Sequence, residues 1–92
     1  MTNQVYEKRL TIQNKRGLHA RAAAKFAATA GNFDSTIEVE RNGQNVPGRS
    51  IMGLMMLAAS TGTDIIVRAE GEDAEQALAA LEVLIDNKFE ED

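Results

Sequence analysis

The sequence predicts an α+β fold, a two-layer sandwich in which a four-stranded, mainly antiparallel sheet carries three helices on one face. Strand-like and helix-like segments follow one another in the order β-α-β-β-α-β-α. The hydrophobic fraction of 43% and the charged fraction of 26% are ordinary for a globular protein. Charged residues alternate with apolar ones in the first two strands, which indicates a sheet with one face in water. We expect residues 1–92 to form a single domain.

The first third of the chain predicts a strand, a loop and a helix. Residues 5–12 alternate, apart from Lys8, which lies on the otherwise apolar side. Residues 14–17 form a polar loop that ends in glycine. Residues 20–30 are rich in alanine and carry apolar side chains at helical spacing, so they predict a helix that ends with Gly31 as its C-cap.

A hairpin follows this helix. Residues 36–40 alternate as a strand does, and Asn42-Gly43 is the residue pair that a tight hairpin turn favours. Residues 44–46 then predict a short return strand. We expect Pro47-Gly48 to end the pairing, since proline has no N–H to donate to a neighbouring strand.

The second half of the chain predicts helix, strand and helix. Residues 50–57 form a short helix with Ser50 as its N-cap, and residues 65–69 form a buried strand. The last helix, residues 74–85, begins after Asp73, which we expect to cap it together with Gln76 in a capping box. The acidic residues 90–92 are expected to be a frayed, solvated end.

Composition excludes several kinds of site. The chain has no cysteine, which excludes disulfides, thiol chemistry and metal sites built on cysteine. It has one histidine, which excludes metal sites built on several histidines. The carboxylates are scattered and no glycine-rich nucleotide loop appears, so we expect neither a metal nor an organic cofactor.

The charge is divided unevenly along the chain. Residues 1–31 contain six basic residues and one acid, whereas residues 32–92 contain four basic residues and thirteen acids. A basic region on an acidic protein indicates an anionic ligand or an acidic partner. The net charge of −4 and the aromatic fraction of 4% argue against nucleic acid as the partner.

The sequence also predicts a cytoplasmic location. The first ten residues contain no apolar signal segment. The longest apolar stretch, residues 51–59, is too short to cross a bilayer, so we expect no membrane insertion.

The segment Gly17-Leu18-His19-Ala20-Arg21 carries the most informative chemistry. A loop delivers His19 to the start of a helix, where free backbone N–H groups favour an anion. A neutral imidazole nitrogen can attack phosphorus, and Arg21 can hold a phosphate with two parallel hydrogen bonds. The alternative is that His19 is an ordinary surface residue without chemistry.

This segment resembles the active-site signature of HPr, the histidine-containing phosphocarrier family of the phosphoenolpyruvate-dependent phosphotransferase system. The resemblance continues in the segment Gly48-Arg49-Ser50-Ile51-Met52-Gly53-Leu54-Met55 and in Gly71-Glu72-Asp73-Ala74, at matching separations. It covers roughly residues 5–88 and implies the HPr-like open-faced sandwich. It implies that His19 is phosphorylated on Nδ1 and that Arg21 assists the phosphoryl group.

The resemblance also implies partners. Phospho-enzyme I would phosphorylate His19, and a histidine of an enzyme IIA protein would receive the phosphoryl group, in sugar uptake or in a regulatory, nitrogen-related system. The chain would then be a carrier without independent turnover and not an enzyme. Ser50 would match the position that HPr kinase/phosphorylase modifies in some bacteria, although its capping role explains it equally well. An open docking face suits a monomer.

The resemblance places the docking surface on the short second helix and beside the histidine. Its residues would be Leu18, Ala20, Lys25, Ile51, Met52 and Met55. The alternative is that the methionines of this helix simply fill the core. A second reading of the whole chain is a regulatory module that docks on partners without carrying phosphate.

Three departures from the family pattern stand out. Ala22 replaces the proline that most members carry after the arginine, which could loosen the start of the helix. Positions at which some sugar-system members carry lysine are here Ala28, Gly31 and Gly53, so the basic rim is smaller. Met56 is polar or small in many relatives.

Overall fold

A computed structural model describes residues 4–91 of the chain. The predicted element order is confirmed. The elements are β1 (Val5–Thr11), α1 (Ala20–Ala30), β2 (Thr36–Arg41), β3 (Gln44–Pro47), α2 (Ile51–Met56), β4 (Asp64–Glu70) and α3 (Ala74–Asp86). A single turn of 3₁₀ helix, Lys88–Glu90, follows α3 and is called the return turn below. Most predicted bounds differ from the observed ones by one residue, the usual fraying at the ends of elements.

The four strands form one sheet in the order β1-β4-β2-β3, and each neighbouring pair is antiparallel. In this order β4 lies in the middle, because it pairs with both β1 and β2. Pro47 is the last residue of β3 and pairs with Glu38. The strand therefore includes the proline and ends there, one residue later than predicted. The edge position of β3 accommodates a residue that has no N–H.

The core lies between the sheet and the helices. Alternate strand residues point into it, among them Leu10, Val39 and Val67, and each of these is buried. The opposite face of the sheet is polar: Arg68 lies 2.9 Å from Glu7 and 2.7 Å from Glu40. The predicted two-layer arrangement with one wet face is thus confirmed.

Lys8, the polar exception in the first strand, has a partner on the helical side. Its Nζ lies 2.6 Å from the Glu82 carboxylate on α3. The edge position of β1 lets a long side chain reach past the core to that helix while its charged end stays in water.

One of the predicted helix caps differs from the structure. Asp73 precedes α3, but within residues 4–91 its side chain makes no capping hydrogen bond, so the predicted capping box is wrong. The carboxylate accepts instead from the backbone N–H groups of Asp34 and Ser35, at 2.8 and 2.9 Å, and from the Ser35 hydroxyl. The prediction of Gly31 as the C-cap of α1 is confirmed, although its φ of −67° is right-handed, so the position does not require glycine.

Over residues 4–91, none of the helices has the length and apolar character needed to cross a membrane. The same residues contain no group of three or more His, Cys, Asp or Glu side chains that could hold a metal ion.

Candidate functional site

The loop before α1 is held rigidly against a second loop. Gly17 has φ = +64°, and a Cβ at this position would collide with the backbone of Ala59 and Ser60. The Leu18 N–H donates to the Ala59 carbonyl at 2.9 Å, and the Leu18 side chain is buried. The buried Asn14 donates to the Gly17 carbonyl at 2.8 Å. The segment that carries the histidine therefore has a defined backbone.

His19 is itself the N-cap of α1. Its backbone is extended, with φ = −75° and ψ = 179°, and its carbonyl accepts the first helical hydrogen bond, from Ala23, at 2.8 Å. Its ring Nδ1 accepts a hydrogen bond from the Arg21 N–H at 3.3 Å. An imidazole nitrogen thus performs the task that serine or asparagine usually performs at this position.

The second ring nitrogen of His19 meets an acid from the far end of the sequence. Nε2 contacts a carboxylate oxygen of Glu91, 72 residues away in the chain. Asn14 Nδ2 donates to both oxygens of that carboxylate, each at 3.3 Å. The His19 and Glu91 side chains are mostly buried, with 21% and 17% of their surfaces exposed.

The contacts of Glu91 favour its ionised form. The hydrogen bond from His19 is the largest of the contacts that lower the pKa of the Glu91 carboxyl. The hydrogen bond from Asn14 and the electrostatic attraction of the His19 ring and of Arg16 act in the same direction, against a desolvation that raises the pKa. The site therefore pairs an imidazole with a carboxylate anion.

The return turn carries Glu91 to this position. Lys88, Phe89 and Glu90 all have positive φ, between 55° and 64°, so the chain reverses with a left-handed twist. Phe89 is fully buried, and its carbonyl accepts a hydrogen bond from Lys25 Nζ at 2.8 Å. The expectation of a frayed, solvated end is therefore wrong for Glu91, while residue 92 lies outside the described residues.

A shallow cavity opens beside the histidine. It has a volume of about 270 Å³ and is lined by Arg16, His19, Arg21, Lys25, Glu90 and Glu91. Three basic side chains converge on one histidine here, as the excess of positive charge in the first third of the chain predicts. The cavity therefore suits a small anion attached to the ring.

The second helix presents an apolar surface. Ile51, Met52 and Met55 are exposed by 42%, 75% and 42%. Leu54 is the one buried residue within α2, so the reading of these methionines as core filler is wrong. Met56, which the sequence interpretation leaves out of the docking set, is exposed as well.

Of the three remaining residues in the predicted docking set, two are exposed at least in part and one is buried. Ala20 is exposed and Lys25 partly exposed, and both lie on α1. Leu18 is buried and packs in the core beneath the histidine, so its side chain is not part of the exposed surface. We name the exposed side chains of Ala20, Lys25, Ile51, Met52 and Met55 the docking face.

Ser50 lies at the predicted cap position. Its hydroxyl accepts a hydrogen bond from the Gly53 N–H at 3.0 Å. This hydrogen bond confirms Ser50 as the N-cap of α2. Ser50 directly precedes the exposed side chains of α2, so a charge added to Ser50 would lie next to them.

Sequence interpretation missed two members of the site, Asn14 and Glu91. No local pattern connects either of them with His19, because the connection needs the sheet, α3 and the return turn to be in place. The one hint in the sequence is Phe89, an aromatic residue placed among acids just after the last helix. Such a residue marks a segment that is anchored and not frayed.

Comparison with known proteins identifies the relatives of this chain. A family model described as the PTS HPr component phosphorylation site matches residues 6–87. The phosphocarrier protein HPr of Cupriavidus necator is 51% identical over 81 residues, which make up 88% of this chain and 91% of the relative. The phosphocarrier protein NPr of Shewanella violacea is 42% identical over 85 residues, 92% of this chain and 93% of the relative.

A solved structure gives the same answer for the fold. The crystal structure of HPr-C-His from Thermoanaerobacter tengcongensis matches with a TM-score of 0.91 and 47% identity, covering 95% of this chain and 98% of that one. The sequence, the element order and the sheet therefore agree. This chain belongs to the HPr family of the phosphotransferase system, and it is a phosphocarrier and not an enzyme with independent turnover.

Proposed function

We propose that His19 is the residue that carries the phosphoryl group, on Nδ1. In this proposal phospho-enzyme I donates the group and a histidine of an enzyme IIA protein receives it. The observation that carries the proposal is the state of Nδ1: its described contact is a long hydrogen bond from the Arg21 N–H, at 3.3 Å. A phosphoryl oxygen can replace Nδ1 as the acceptor of that N–H, so attack by the ring does not leave the backbone group unpaired.

The surroundings of the ring support an anion of high charge. Arg21 extends from the first turn of α1 into the cavity, and Arg16 and Lys25 line the same space. A guanidinium matches the geometry of phosphate oxygens, and the free N–H groups of the helix start add partial positive charge. We assign Arg21 the role of holding the phosphoryl group.

The docking face is where we expect both partners to bind. It combines flexible methionines with a lysine beside the histidine, which suits a carrier that meets several acidic partners in turn. The histidine lines a shallow cavity that is open to the surface, so a partner histidine can approach it without entering a deep pocket. We therefore propose that the chain acts as a single cytoplasmic domain and a monomer, with the apolar surface of α2 reserved for partners.

Intact mass after incubation with phosphoenolpyruvate and a matching enzyme I tests the carrier role. We expect one acid-labile phosphoryl group on the wild type and none on His19→Asn. Asparagine is the informative replacement because it still caps a helix, so its stability by urea denaturation should stay close to that of the wild type.

Phosphorylation that persists in a folded His19→Asn would contradict the assignment of His19. If enzyme I proteins that phosphorylate other HPr proteins leave the wild type unmodified, the reading as a docking module without phosphate replaces the proposal.

The pathway is the finer part of the proposal. The relatives include proteins named HPr and a protein named NPr, so a sugar-linked and a nitrogen-linked acceptor are both chemically suitable. Ala28 and Gly31 reduce the basic rim, which favours the nitrogen-related branch. Transfer rates from the phosphorylated chain to one enzyme IIA of each branch separate the two. A faster transfer to the sugar-type acceptor would overturn this preference.

A further inference from the structure

Glu91 has no role in anything described so far, yet it makes the most direct contact with His19. It lies outside residues 6–87, the segment that matches the family. Its carboxylate meets Nε2, whereas the proposed chemistry takes place on Nδ1. Its neighbour Glu90 provides a contrast, because the Glu90 side chain is 72% exposed and pairs with Lys25 at 3.4 Å. Of the two acids that the return turn brings to the cavity, one is in solvent and one is enclosed.

The position of Glu91 is determined by several independent contacts. Phe89 anchors the return turn in the core, and the hydrogen bond from Lys25 to the Phe89 carbonyl ties the turn to α1. Asn14 Nδ2 then donates hydrogen bonds to both oxygens of the Glu91 carboxylate. Asn14 is 1% exposed and also donates to the Gly17 carbonyl, in the loop that presents the histidine. One buried amide thus aligns the carboxylate and the histidine loop with each other.

The contact determines which ring nitrogen can react. An ionised carboxylate can only accept a hydrogen bond, so Nε2 must carry the proton that it donates. In the neutral ring the lone pair is then on Nδ1, the nitrogen that faces the Arg21 N–H. Enzymes that use histidine often place a carboxylate against one imidazole nitrogen. The carboxylate fixes the tautomer and the orientation of the ring, so that the other nitrogen can react.

We propose that Glu91 is a positioning residue for phosphoryl transfer through His19, which rests on the proposed function. The Nδ1 lone pair attacks phosphorus and forms the N–P bond, while the bond from phosphorus to the donor's imidazole nitrogen breaks and its electron pair returns to that nitrogen. The His19 ring becomes cationic and keeps its proton on Nε2, against the Glu91 anion. Transfer to the acceptor reverses these changes, and Glu91 stays in contact with Nε2 throughout.

The charges of the cavity are compatible with an acid so close to the phosphoryl group. Arg16, Arg21 and Lys25 line the same space and offset both Glu91 and the incoming anion. The carboxylate lies on the Nε2 side of the ring and the phosphoryl group would lie on the Nδ1 side. The acid therefore stabilises the ring cation at short range and opposes the phosphoryl group at longer range.

Three variants of the full chain test this role: Glu91→Ala, Glu91→Gln and, as a matched control, Asp86→Asn. Asp86 is an exposed acid at the end of α3 that does not line the cavity, so its replacement removes one negative charge from the same end of the chain. Single-turnover transfer from phospho-enzyme I is measured over a range of enzyme I concentrations. NMR of the ring follows the Nε2–H proton in the free and phosphorylated states.

We expect Glu91→Ala to lower the maximal transfer rate by about tenfold, the factor that corresponds to losing one charge-assisted hydrogen bond. The half-saturating concentration of enzyme I should stay within about twofold of the wild-type value, because the role acts on the reacting ring and not on docking. Glu91→Gln should lie between Glu91→Ala and the wild type, since its amide oxygen accepts the hydrogen bond from Nε2–H without neutralising the charge of the ring cation. The protected Nε2–H signal should persist in Glu91→Gln and disappear in Glu91→Ala.

Two results would overturn the inference while leaving the proposed function intact. One is a wild type phosphorylated on His19 together with a Glu91→Ala rate that is unchanged or faster. The other is an equal loss of rate in Asp86→Asn, which would show a general effect of charge. Failure of the proposed function looks different, because the wild type itself would then gain no phosphoryl group on His19.

Discussion

The first and last helices both begin beside a titratable side chain that contacts a remote segment, but the two helix starts are built differently. At α1 the His19 ring caps its own helix through Nδ1 and contacts Glu91 through Nε2. At α3 the Asp73 carboxylate leaves its own helix uncapped and accepts three hydrogen bonds from Asp34 and Ser35.

The difference separates a structural contact from one that supports chemistry. Donors from a backbone turn and a hydroxyl surround the Asp73 carboxylate, so its contacts tie two loops together. Among residues 4–91, the contact of His19 Nδ1 is one long hydrogen bond, and the ring lines a cavity that three basic side chains share. A helix start acquires chemistry when its capping atom can exchange one partner for another.

Gly17→Ala should have the largest effect on this comparison, because it disrupts the loop that presents His19. The new Cβ would meet the Ala59 backbone, and φ = +64° is unfavourable for alanine. We expect a loss of about 2–3 kcal/mol of unfolding free energy, measured by urea denaturation.

Gly62→Ala is the matched control for Gly17→Ala. Gly62 also has a positive φ, +85°, but a Cβ there meets no atom of residues 4–91 within 4 Å. We expect a loss of about 1 kcal/mol from backbone strain alone. Equal losses in the two variants would show that the packing of Gly17 against Ala59 contributes nothing.

Ser50 provides a third helix start, at which the side chain caps its own helix, and its replacement should have a smaller effect. Ser50→Ala removes the acceptor of the Gly53 N–H and should cost about 1 kcal/mol of unfolding free energy. Ser50→Asp should stay within about 0.5 kcal/mol of the wild type, because aspartate caps equally well. A Ser50→Asp protein as unstable as Ser50→Ala would contradict a pure capping role.

Asp73→Asn should have the smallest effect, visible mainly as a change in pH dependence. Hydrogen bonds from the Ser35 hydroxyl and then from the Asp34 N–H lower the pKa of Asp73 in the folded state. A lowered pKa stabilises the fold at pH values above the unfolded-state pKa of about 3.9, and this contribution disappears as the pH falls through the folded-state value.

The wild type should therefore lose stability in acid more steeply than Asp73→Asn, and the two curves should converge at low pH. Thermal unfolding between about pH 2 and pH 7 measures this. Glu72→Gln, a neighbouring exposed acid, serves as the control. Parallel curves for Asp73→Asn and the wild type would rule out a stabilising role of the ionised carboxylate.

Most of the fold could be predicted because local patterns determine it. Alternation identified the first two strands, Asn42-Gly43 identified the hairpin, and alanine content with apolar spacing identified α1. The same local patterns predicted that Ser50 caps α2 and that His19 lies at the start of α1. These features depend on residues a few positions apart, so the sequence displays them directly.

The parts that could not be predicted depend on contacts across the fold. Asp73 has the residue type of a cap, but the loop with Asp34 and Ser35 offers its carboxylate more donors than its own helix does. Glu91 looks like one acid in a charged tail until the return turn and buried Phe89 give it a position. Local sequence propensities do not reveal the contacts of Asp73 or of Glu91, because the partners of both carboxylates come from distant segments of the chain.

The separation of 72 residues between His19 and Glu91 has a consequence for how the protein matures. Closing a loop of this length has a large entropy cost, and the contact becomes favourable only after the intervening strands have paired. During folding, α1 and its histidine can therefore form before the acid arrives. A partly folded chain would present an imidazole without the carboxylate that accepts its Nε2–H hydrogen bond, so assembly of the pair marks the completion of the native structure.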